Sequence, residues 1–193
     1  MDARTFAAEM EKADTIVLDT REFEAYGGAH IPDSLNIPLR QEFPIWAGWM
    51  LDPNQRILLV SSERGDIESI SRYLTRIGID KVAGYSRQGF RDWAEAGFVF
   101  HKLPQMSVHE LKATLQTAPE TQQLLDVRRQ EEWRQGHVPG ALHIPASELS
   151  TRMDELDRAL PIAVYCSTGY RAGIAASLLN AAVVEPFLTF PEA

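Results

Sequence analysis

The sequence predicts an α/β fold made of two similar units, each a mostly parallel β-sheet with helices on both faces. Two observations support this prediction. Short apolar runs typical of buried strands alternate with helical patterns along the chain, as in sheets whose parallel strands are joined by helices. The first half of the sequence also recurs in the second half. We therefore divide the 193 residues into two units, residues 1–103 and 104–193.

A shift of 107 positions brings the two halves into register. It aligns Leu18, Asp19 and Arg21 with Leu125, Asp126 and Arg128. The other identities in this register are Glu24 with Glu131, His30 with His137, Pro32 with Pro139, Leu35 with Leu142, Ile37 with Ile144, and Pro38 with Pro145. Matches that share one register over so short a stretch indicate an internal repeat of ordinary domain size.

The first unit is predicted to contain three strands, at residues 15–18, 56–60 and 81–83. Its helices are predicted at residues 21–26, 63–77 and 90–96. In the middle helix, apolar residues recur at the spacing that places them on one face, and they are Ile67, Ile70, Leu74 and Ile77.

The second unit is predicted to follow a linker near residues 97–106 and to begin with a helix. Ser107 and Glu110 have the spacing of a capping box at the start of that helix. Strands are then predicted at residues 122–126 and 162–165, and helices at residues 130–134 and 171–180. The last residues, 181–193, lack a counterpart of the Gly-Phe-Arg-Asp-Trp motif at 89–93. We therefore expect a last helix and part of a strand to be missing or replaced, which would leave an exposed sheet edge.

Composition and charge exclude several function classes. The net charge is −8, and the acidic excess is shared equally by the two halves, without the clustered Lys/Arg footprint that nucleic acid requires. One cysteine excludes an internal disulfide. No apolar stretch approaches the roughly 20 residues of a membrane span, and the N-terminus lacks a signal-peptide core. We expect a cytoplasmic protein without nucleic-acid or membrane partners.

The single cysteine, Cys166, lies where parallel-sheet proteins bind ligands, just after the carboxyl end of a predicted strand. It begins the loop Cys-Ser-Thr-Gly-Tyr-Arg at 166–171, which leads into a helix. Backbone N–H groups at a helix start favour an anion, so a thiol there is expected to act as a thiolate nucleophile. The alternative interpretation is a small buried apolar residue, which is common for free cysteine.

Four motifs of the second unit together resemble those of a rhodanese sulfurtransferase domain. They lie at residues 125–128 (Leu-Asp-Val-Arg), 131–133 (Glu-Glu-Trp), 136–141 (Gly-His-Val-Pro-Gly-Ala) and 166–171. The first unit resembles a second rhodanese domain through residues 18–21, 30–32 and 89–93. The resemblance covers nearly the whole chain and implies two rhodanese-like domains in tandem.

The first unit also resembles a more specific group, through Trp-Ala-Gly-Trp at 46–49 and the segment 76–85. This group is the tandem rhodanese region that follows a metallo-β-lactamase-like domain in bacterial fusion proteins related to persulfide dioxygenases. The resemblance implies a fused or associated metallo-β-lactamase-fold domain as a partner. The chain itself contains no His-x-His-x-Asp-His metal motif.

The resemblance implies an activity for Cys166. The cysteine would take sulfur from a sulfane-sulfur donor such as thiosulfate or a persulfide, hold it as a persulfide, and pass it to a thiol or cyanide. Backbone N–H groups of the rest of the loop would stabilise the anionic sulfur, and these residues are Ser167, Thr168, Gly169, Tyr170 and Arg171. Arg171 would add charge or fix the loop. No cofactor and no metal is implied.

Two other functions are compatible with the sequence. A non-catalytic module could relay sulfur or bind a partner for a neighbouring enzyme. A phosphatase or arsenate reductase is the third interpretation, but the related enzymes of that kind have a seven-residue Cys-x5-Arg loop. The six-residue loop at 166–171 favours sulfur over a tetrahedral oxyanion.

The first unit departs from the second at this loop. When the two strands are aligned, Ser61 lies opposite Cys166 and Asp66 lies opposite Arg171. A serine cannot carry a persulfide, and acidic side chains repel an anion. The first unit is therefore predicted to be inactive, with a structural role favoured over partner binding or a contribution to the active cleft.

Several polar residues have both a functional and a structural interpretation. Asp126 and Arg128 could shape the cleft, but an ion pair that holds the following turn, with Glu131 as a further member, is favoured. The same pair recurs as Asp19 and Arg21 in the unit without cysteine. His137 is treated as structural by the same reasoning.

Three further interpretations concern other side chains of the two units. A zinc site of His137, His143 and Cys166 is disfavoured, because no tight ligand spacing supports it. Glu131 and Glu132 are expected on a solvated helix face. The tryptophans are expected to pack in the core or between domains, and they are Trp46, Trp49 and Trp93.

Overall fold

The computed structural model describes residues 1–182 and 186–190. The chain forms two compact units, Met1–Lys102 and Leu103–Ala193, and each unit has its own β-sheet.

The first unit has a four-stranded sheet in the order β2-β1-β3-β4, and every pair of neighbouring strands is parallel. The strands are β1 Thr15–Asp19, β2 Leu35–Asn36, β3 Arg56–Val60 and β4 Val82–Tyr85. The helices are α1 Ala3–Met10, α2 Phe23–Gly28, α3 Phe43–Met50, α4 Asp66–Arg76 and α5 Phe90–Glu95. The predicted parallel α/β sheet is confirmed.

The core of this unit lies against the two central strands. Val17 of β1 and Leu58 of β3 pack with Phe6 of α1 and Trp93 of α5. Helix α1 begins after Asp2, whose carboxylate accepts the Thr5 N–H at 2.9 Å. Burial of apolar side chains on both sides of the helix–sheet boundary holds the two layers together.

Helix α3 was not predicted, because its sequence is almost entirely apolar and shows no helical alternation. Trp46 of α3 is buried as expected, and so is Trp93 of α5. The expectation that Trp49 packs in the core of its unit is wrong, since 51% of its surface is exposed. Its neighbour Trp46 makes an edge-to-face contact with it at 5.1 Å between ring centroids.

The second unit has a five-stranded, fully parallel sheet in the order β5-β9-β8-β6-β7. The strands are β5 Gln105–Ser107, β6 Gln123–Asp126, β7 Leu142–His143, β8 Ile162–Tyr165 and β9 Pro186–Phe190. The helices are α6 Val108–Thr117, α7 Gln130–Gln135 and α8 Tyr170–Ala181, with short 3-10 turns at Pro119–Thr121, Ala146–Thr151 and Met153–Glu155.

The capping box predicted at the start of α6 is present. Ser107 Oγ accepts the Glu110 N–H at 3.2 Å, and the Glu110 carboxylate accepts the Ser107 N–H at 2.7 Å. These bonds satisfy backbone donors that a helix start leaves without intrahelical partners.

The exposed sheet edge predicted near the end of the chain is wrong. Strand β9 pairs with β8 on one side and with β5 on the other, because the extended segment before α6 supplies a neighbouring strand. The prediction of a missing last helix and a partly missing strand concerns residues 181–193. Within this segment residues 186–190 form β9, and residues 183–185 and 191–193 lie outside the described residues.

The two sheets repeat one topology. Strands β1, β2, β3 and β4 of the first unit correspond to β6, β7, β8 and β9 of the second. The corresponding strands β3 and β8 each lead into a loop and then into a long helix, which is α4 in the first unit and α8 in the second. No helix within the described part of the chain is both long and apolar enough to cross a membrane.

Candidate active site

The loop that carries Cys166 connects the central strand β8 to helix α8. Gly169 immediately precedes the helix in the left-handed conformation, with φ at 82°. Side chains with a Cβ adopt this conformation at a cost, so glycine suits the sharp turn into the helix. Most residues of helix α8 are small or apolar, and most of them are buried. This burial fixes the first turn of the helix against the sheet.

Cys166 is buried, with 7% of its surface exposed. Its Sγ accepts the backbone N–H of Ala172, in the first turn of α8, at 3.4 Å. A helix start directs N–H dipoles toward the sulfur, which favours a negative charge there. Ala172 lies one residue beyond the loop from which the sequence predicted the N–H donors.

Arg171 is held in a two-pronged ion pair with Glu132 of α7. Its Nη2 lies 2.9 Å from Glu132 Oε1, and its Nη1 donates to Oε2. Ser167 completes the cluster, because its hydroxyl donates to Glu132 Oε1 at 2.7 Å and accepts from Arg171 Nη2 at 3.0 Å. The expectation that Glu132 is merely solvated is wrong, since α7 brings its carboxylate onto the cysteine loop.

The charges of this cluster reinforce one another. The pKa of Glu132 is lowered to about 2, chiefly by the hydrogen bonds from Arg171 and also by the Ser167 hydroxyl, against the opposing effect of burial. The pKa of Arg171 is raised chiefly by the hydrogen bonds to Glu132, against the opposing effect of burial. The carboxylate and the guanidinium therefore each stabilise the charged form of the other.

The loop residues between Cys166 and Arg171 differ in solvent exposure. Ser167 and Thr168 are exposed, whereas Gly169 and Tyr170 are buried at the start of α8. The loop thus brings Cys166, Ser167 and Arg171 together, while Tyr170 packs into the unit. Sequence reasoning missed Glu132, although one signal was present: the repeat register aligns it with Ala25 of the first unit.

Asp126 and Arg128 form an ion pair, which is the structural interpretation that the sequence favours. Arg128 Nη2 lies 2.6 Å from Asp126 Oδ2 and donates to the Gly136 carbonyl at 2.8 Å. Burial alone would raise the pKa of Asp126, but the hydrogen bonds from Arg128 and Tyr165 together outweigh burial and lower it. The third partner is the Gly136 carbonyl rather than the suggested Glu131.

The first unit contains the same pair in the same geometry. Arg21 Nη2 lies 2.6 Å from Asp19 Oδ2 and donates to the Ala29 carbonyl at 2.9 Å. The unit without a cysteine keeps this arrangement. The pair therefore stabilises the turn after β1 in the first unit and the turn after β6 in the second.

The histidines are also part of the shared scaffold. His137 stacks on Trp133 and its Nδ1 lies 3.1 Å from the Trp133 carbonyl. In the first unit, His30 stacks on Tyr26 with the corresponding Nδ1 contact at 3.0 Å. Burial lowers the pKa of His30 to about 4. Among the described residues, no three or more His, Cys, Asp or Glu side chains are grouped so that they could hold a metal ion.

The loop of the first unit differs in chemistry at the same place. The Ser61 hydroxyl, at the end of β3, donates to Asp66 Oδ2 at 3.1 Å. Gly89, with φ at 61°, closes the loop from behind, and a Cβ there would lie 2.3 Å from the Ser61 carbonyl oxygen. A cavity of about 290 Å³ opens beside this loop. The position that carries a thiol in the second unit thus carries a hydroxyl bonded to a carboxylate.

The fold and the site together define a class of protein with two parallel α/β domains in tandem. In one of these domains, a loop between a central strand and a buried helix places a cysteine beside the first turn of that helix. The family model for the Rhodanese-like domain matches the chain twice, over residues 2–96 and 107–189. The chain belongs to the rhodanese-like family, with two such domains, as the sequence motifs implied.

Individual relatives match parts of the chain. The protein YqhL of Bacillus subtilis (strain 168) is 42% identical over 58 residues, which are 30% of this chain and 46% of YqhL. The matched segments span less than half the length of each curated relative.

Two solved structures cover nearly the whole chain. They are a thiosulfate sulfurtransferase from Pseudomonas aeruginosa (21% identical, 98% of this chain and 42% of that one, TM-score 0.44) and the 3-mercaptopyruvate sulfotransferase SseA from Escherichia coli (17% identical, 100% and 97%, TM-score 0.45).

Proposed function

We propose that the second unit is a sulfurtransferase that carries sulfane sulfur as a persulfide on Cys166. One observation carries the proposal: the buried Cys166 sulfur accepts an N–H group from the first turn of α8. Such donors stabilise negative charge on sulfur both before and after it gains a second sulfur atom. Membership of the rhodanese-like family supports the same chemistry.

The reaction has two balanced steps. The Cys166 thiolate attacks the sulfane sulfur of the donor, and the donor's sulfur–sulfur bond breaks. The bonding electrons leave with sulfite when the donor is thiosulfate, or with a thiolate when the donor is a persulfide. A thiol or cyanide then attacks the outer sulfur and releases the Cys166 thiolate.

We also propose that the first unit transfers no sulfur and has a structural role. Ser61 stands in place of the nucleophile, and the Asp66 carboxylate bonded to it disfavours negative charge at this position. The resemblance further suggests an associated metallo-β-lactamase-fold domain as a partner. The single cysteine, which excludes an internal disulfide, favours a reducing, cytoplasmic setting.

The test is direct detection of the persulfide. After treatment with thiosulfate or ethyl persulfide, intact-protein mass spectrometry is expected to show the added mass of one sulfur atom, which cyanide removes as thiocyanate. Cys166→Ala is expected to abolish both signals, because the nucleophile is gone. Ser61→Ala, the matched control in the first unit, is expected to leave both unchanged. Sulfur transfer retained by Cys166→Ala would contradict the proposal.

A further inference from the structure

The cation of the cysteine loop is already neutralised by the protein. Arg171 has 17% of its side chain exposed, and both of its terminal nitrogens face the Glu132 carboxylate. The Ser167 hydroxyl also donates to that carboxylate. An oxyanion that approached Cys166 would therefore meet a paired guanidinium and a carboxylate rather than an available positive charge.

The repeat separates this cluster from the scaffold. The Asp–Arg ion pair is present in both units, with equal distances between corresponding atoms. Glu132, in contrast, aligns with Ala25, and Arg171 aligns with Asp66. The carboxylate and the guanidinium thus occur together in the unit that has the thiol, and both are replaced at the aligned positions of the unit that lacks it. This pattern ties Glu132 to the chemistry of the loop.

We infer that Glu132 is a positioning residue that sets the donor class of Cys166, an inference that rests on the proposed function. By holding Arg171 and adding a negative charge beside the loop, it disfavours donors whose sulfane sulfur adjoins a sulfonate, as in thiosulfate. Donors whose leaving group is a thiolate, the organic persulfides, lack the sulfonate that Glu132 repels. The persulfide class is therefore the preferred donor.

The same bond changes apply to this donor. The Cys166 thiolate attacks the outer sulfur of RS–SH, the donor's sulfur–sulfur bond breaks, and RS⁻ leaves with the electron pair. The outer sulfur and its proton remain on Cys166. No additional oxidant or reductant is required.

The test compares two donors in steady-state sulfur transfer to cyanide, using the whole chain. Glu132→Gln keeps the side-chain shape but removes the charge, which leaves Arg171 available to a sulfonate. We expect kcat/KM with thiosulfate to rise about tenfold, mainly through KM, while the value with ethyl persulfide changes less than about twofold. Glu131→Gln, a neighbouring exposed position, is the control for overall charge and is expected to behave like the wild type.

Two more variants separate specificity from loop support. Glu132→Asp keeps the carboxylate and is expected to retain weak use of thiosulfate. The double variant Glu132→Gln/Arg171→Gln is expected to lose the gain, because no free guanidinium remains to attract the sulfonate.

The outcomes distinguish the two proposals. A fall by the same factor for both donors in Glu132→Gln would mean that Glu132 only supports the loop, and this would overturn the inference. If Glu132→Gln gains sulfur but keeps the wild-type ratio of kcat/KM for the two donors, the inference is also overturned. The proposed function would stand in that case. Failure of the wild type to gain sulfur from either donor would overturn the proposed function and this inference with it.

Discussion

At the residue scale, the site depends on where side chains from distant parts of the sequence meet. Cys166 and Ser167 are neighbours in the chain, but Glu132 reaches them from a helix that precedes β7 and β8. The sequence identified the thiol and its loop because their order is local. It misassigned Glu132 because the carboxylate's role depends on packing between α7 and the loop, which no local pattern reports.

The Glu132–Arg171 pair predicts a specific acid sensitivity of stability. Because the pKa of Glu132 falls from an ordinary 4.5 to about 2 in the folded protein, its ionised form stabilises the fold. This contribution is complete above about pH 4.5 and is lost as the pH falls through about 2. Glu132→Gln is expected to lower the free energy of unfolding at pH 6 by about 1 kcal/mol, a difference that shrinks between pH 4.5 and 2.

Urea denaturation of the two proteins at pH 6 and pH 3 measures this difference. Glu131→Gln serves as the charge control at both values. A deficit in Glu132→Gln that is equally large at both pH values would show that the pair does not titrate in this way.

At the scale of elements, the buried strands were the most predictable features. The predictions at residues 56–60 and 162–165 coincide with Arg56–Val60 and Ile162–Tyr165, because continuous apolar runs in parallel sheets are bounded by polar residues. Strand β9 and the edge strand β5 were not predicted. Their pairing joins segments from opposite ends of the second unit, and such pairing leaves no periodic signal in either segment.

The turn into α8 gives an element-scale prediction. Gly169→Ala places a Cβ on a residue with φ at 82°, which is expected to destabilise the protein by about 1 kcal/mol. Relief of this strain would displace the loop, so the rate at which Cys166 gains sulfur is expected to fall about tenfold.

Gly28→Ala is the matched control, because its Cβ would meet open space without a positive φ. Thermal unfolding and timed mass spectrometry of both variants measure the two effects. A Gly169→Ala protein that loads sulfur at the wild-type rate would show that the turn does not position the thiol.

At the scale of the whole molecule, two copies of one fold differ in the chemistry of the loop that follows β3 or β8. The shared Asp–Arg pairs and the stacked histidines belong to the scaffold, whereas Cys166, Arg171 and Glu132 belong to one copy. The repeat made the fold predictable from sequence, and it located the serine that replaces the cysteine in the first copy. The donor class was not predictable in this way, because it depends on which charge Arg171 faces.

The difference between the two copies predicts that a cysteine introduced into the first unit is not sufficient for sulfur transfer by that unit. In the double variant Ser61→Cys/Cys166→Ala, the introduced thiol would lie beside the Asp66 carboxylate, with no counterpart of Arg171 at that position. We expect this protein to gain no sulfur from ethyl persulfide or thiosulfate, because the carboxylate disfavours the anionic persulfide.

Intact mass measurement after each donor tests this expectation, with the wild type as the positive control. Appearance of a cyanide-sensitive added sulfur on the introduced cysteine would show that the loop chemistry of the first unit is less restrictive than its charges indicate.

The buried position of the only thiol also determines what happens to it under oxidative stress. A sulfenic acid formed on Cys166 has no second cysteine in the chain with which to form a disulfide. Its recovery therefore depends on a small external thiol that can reach the buried sulfur, since burial hinders attack by a bulky protein thiol. In a cell, the pool of low-molecular-weight thiols would thus protect the protein from irreversible oxidation.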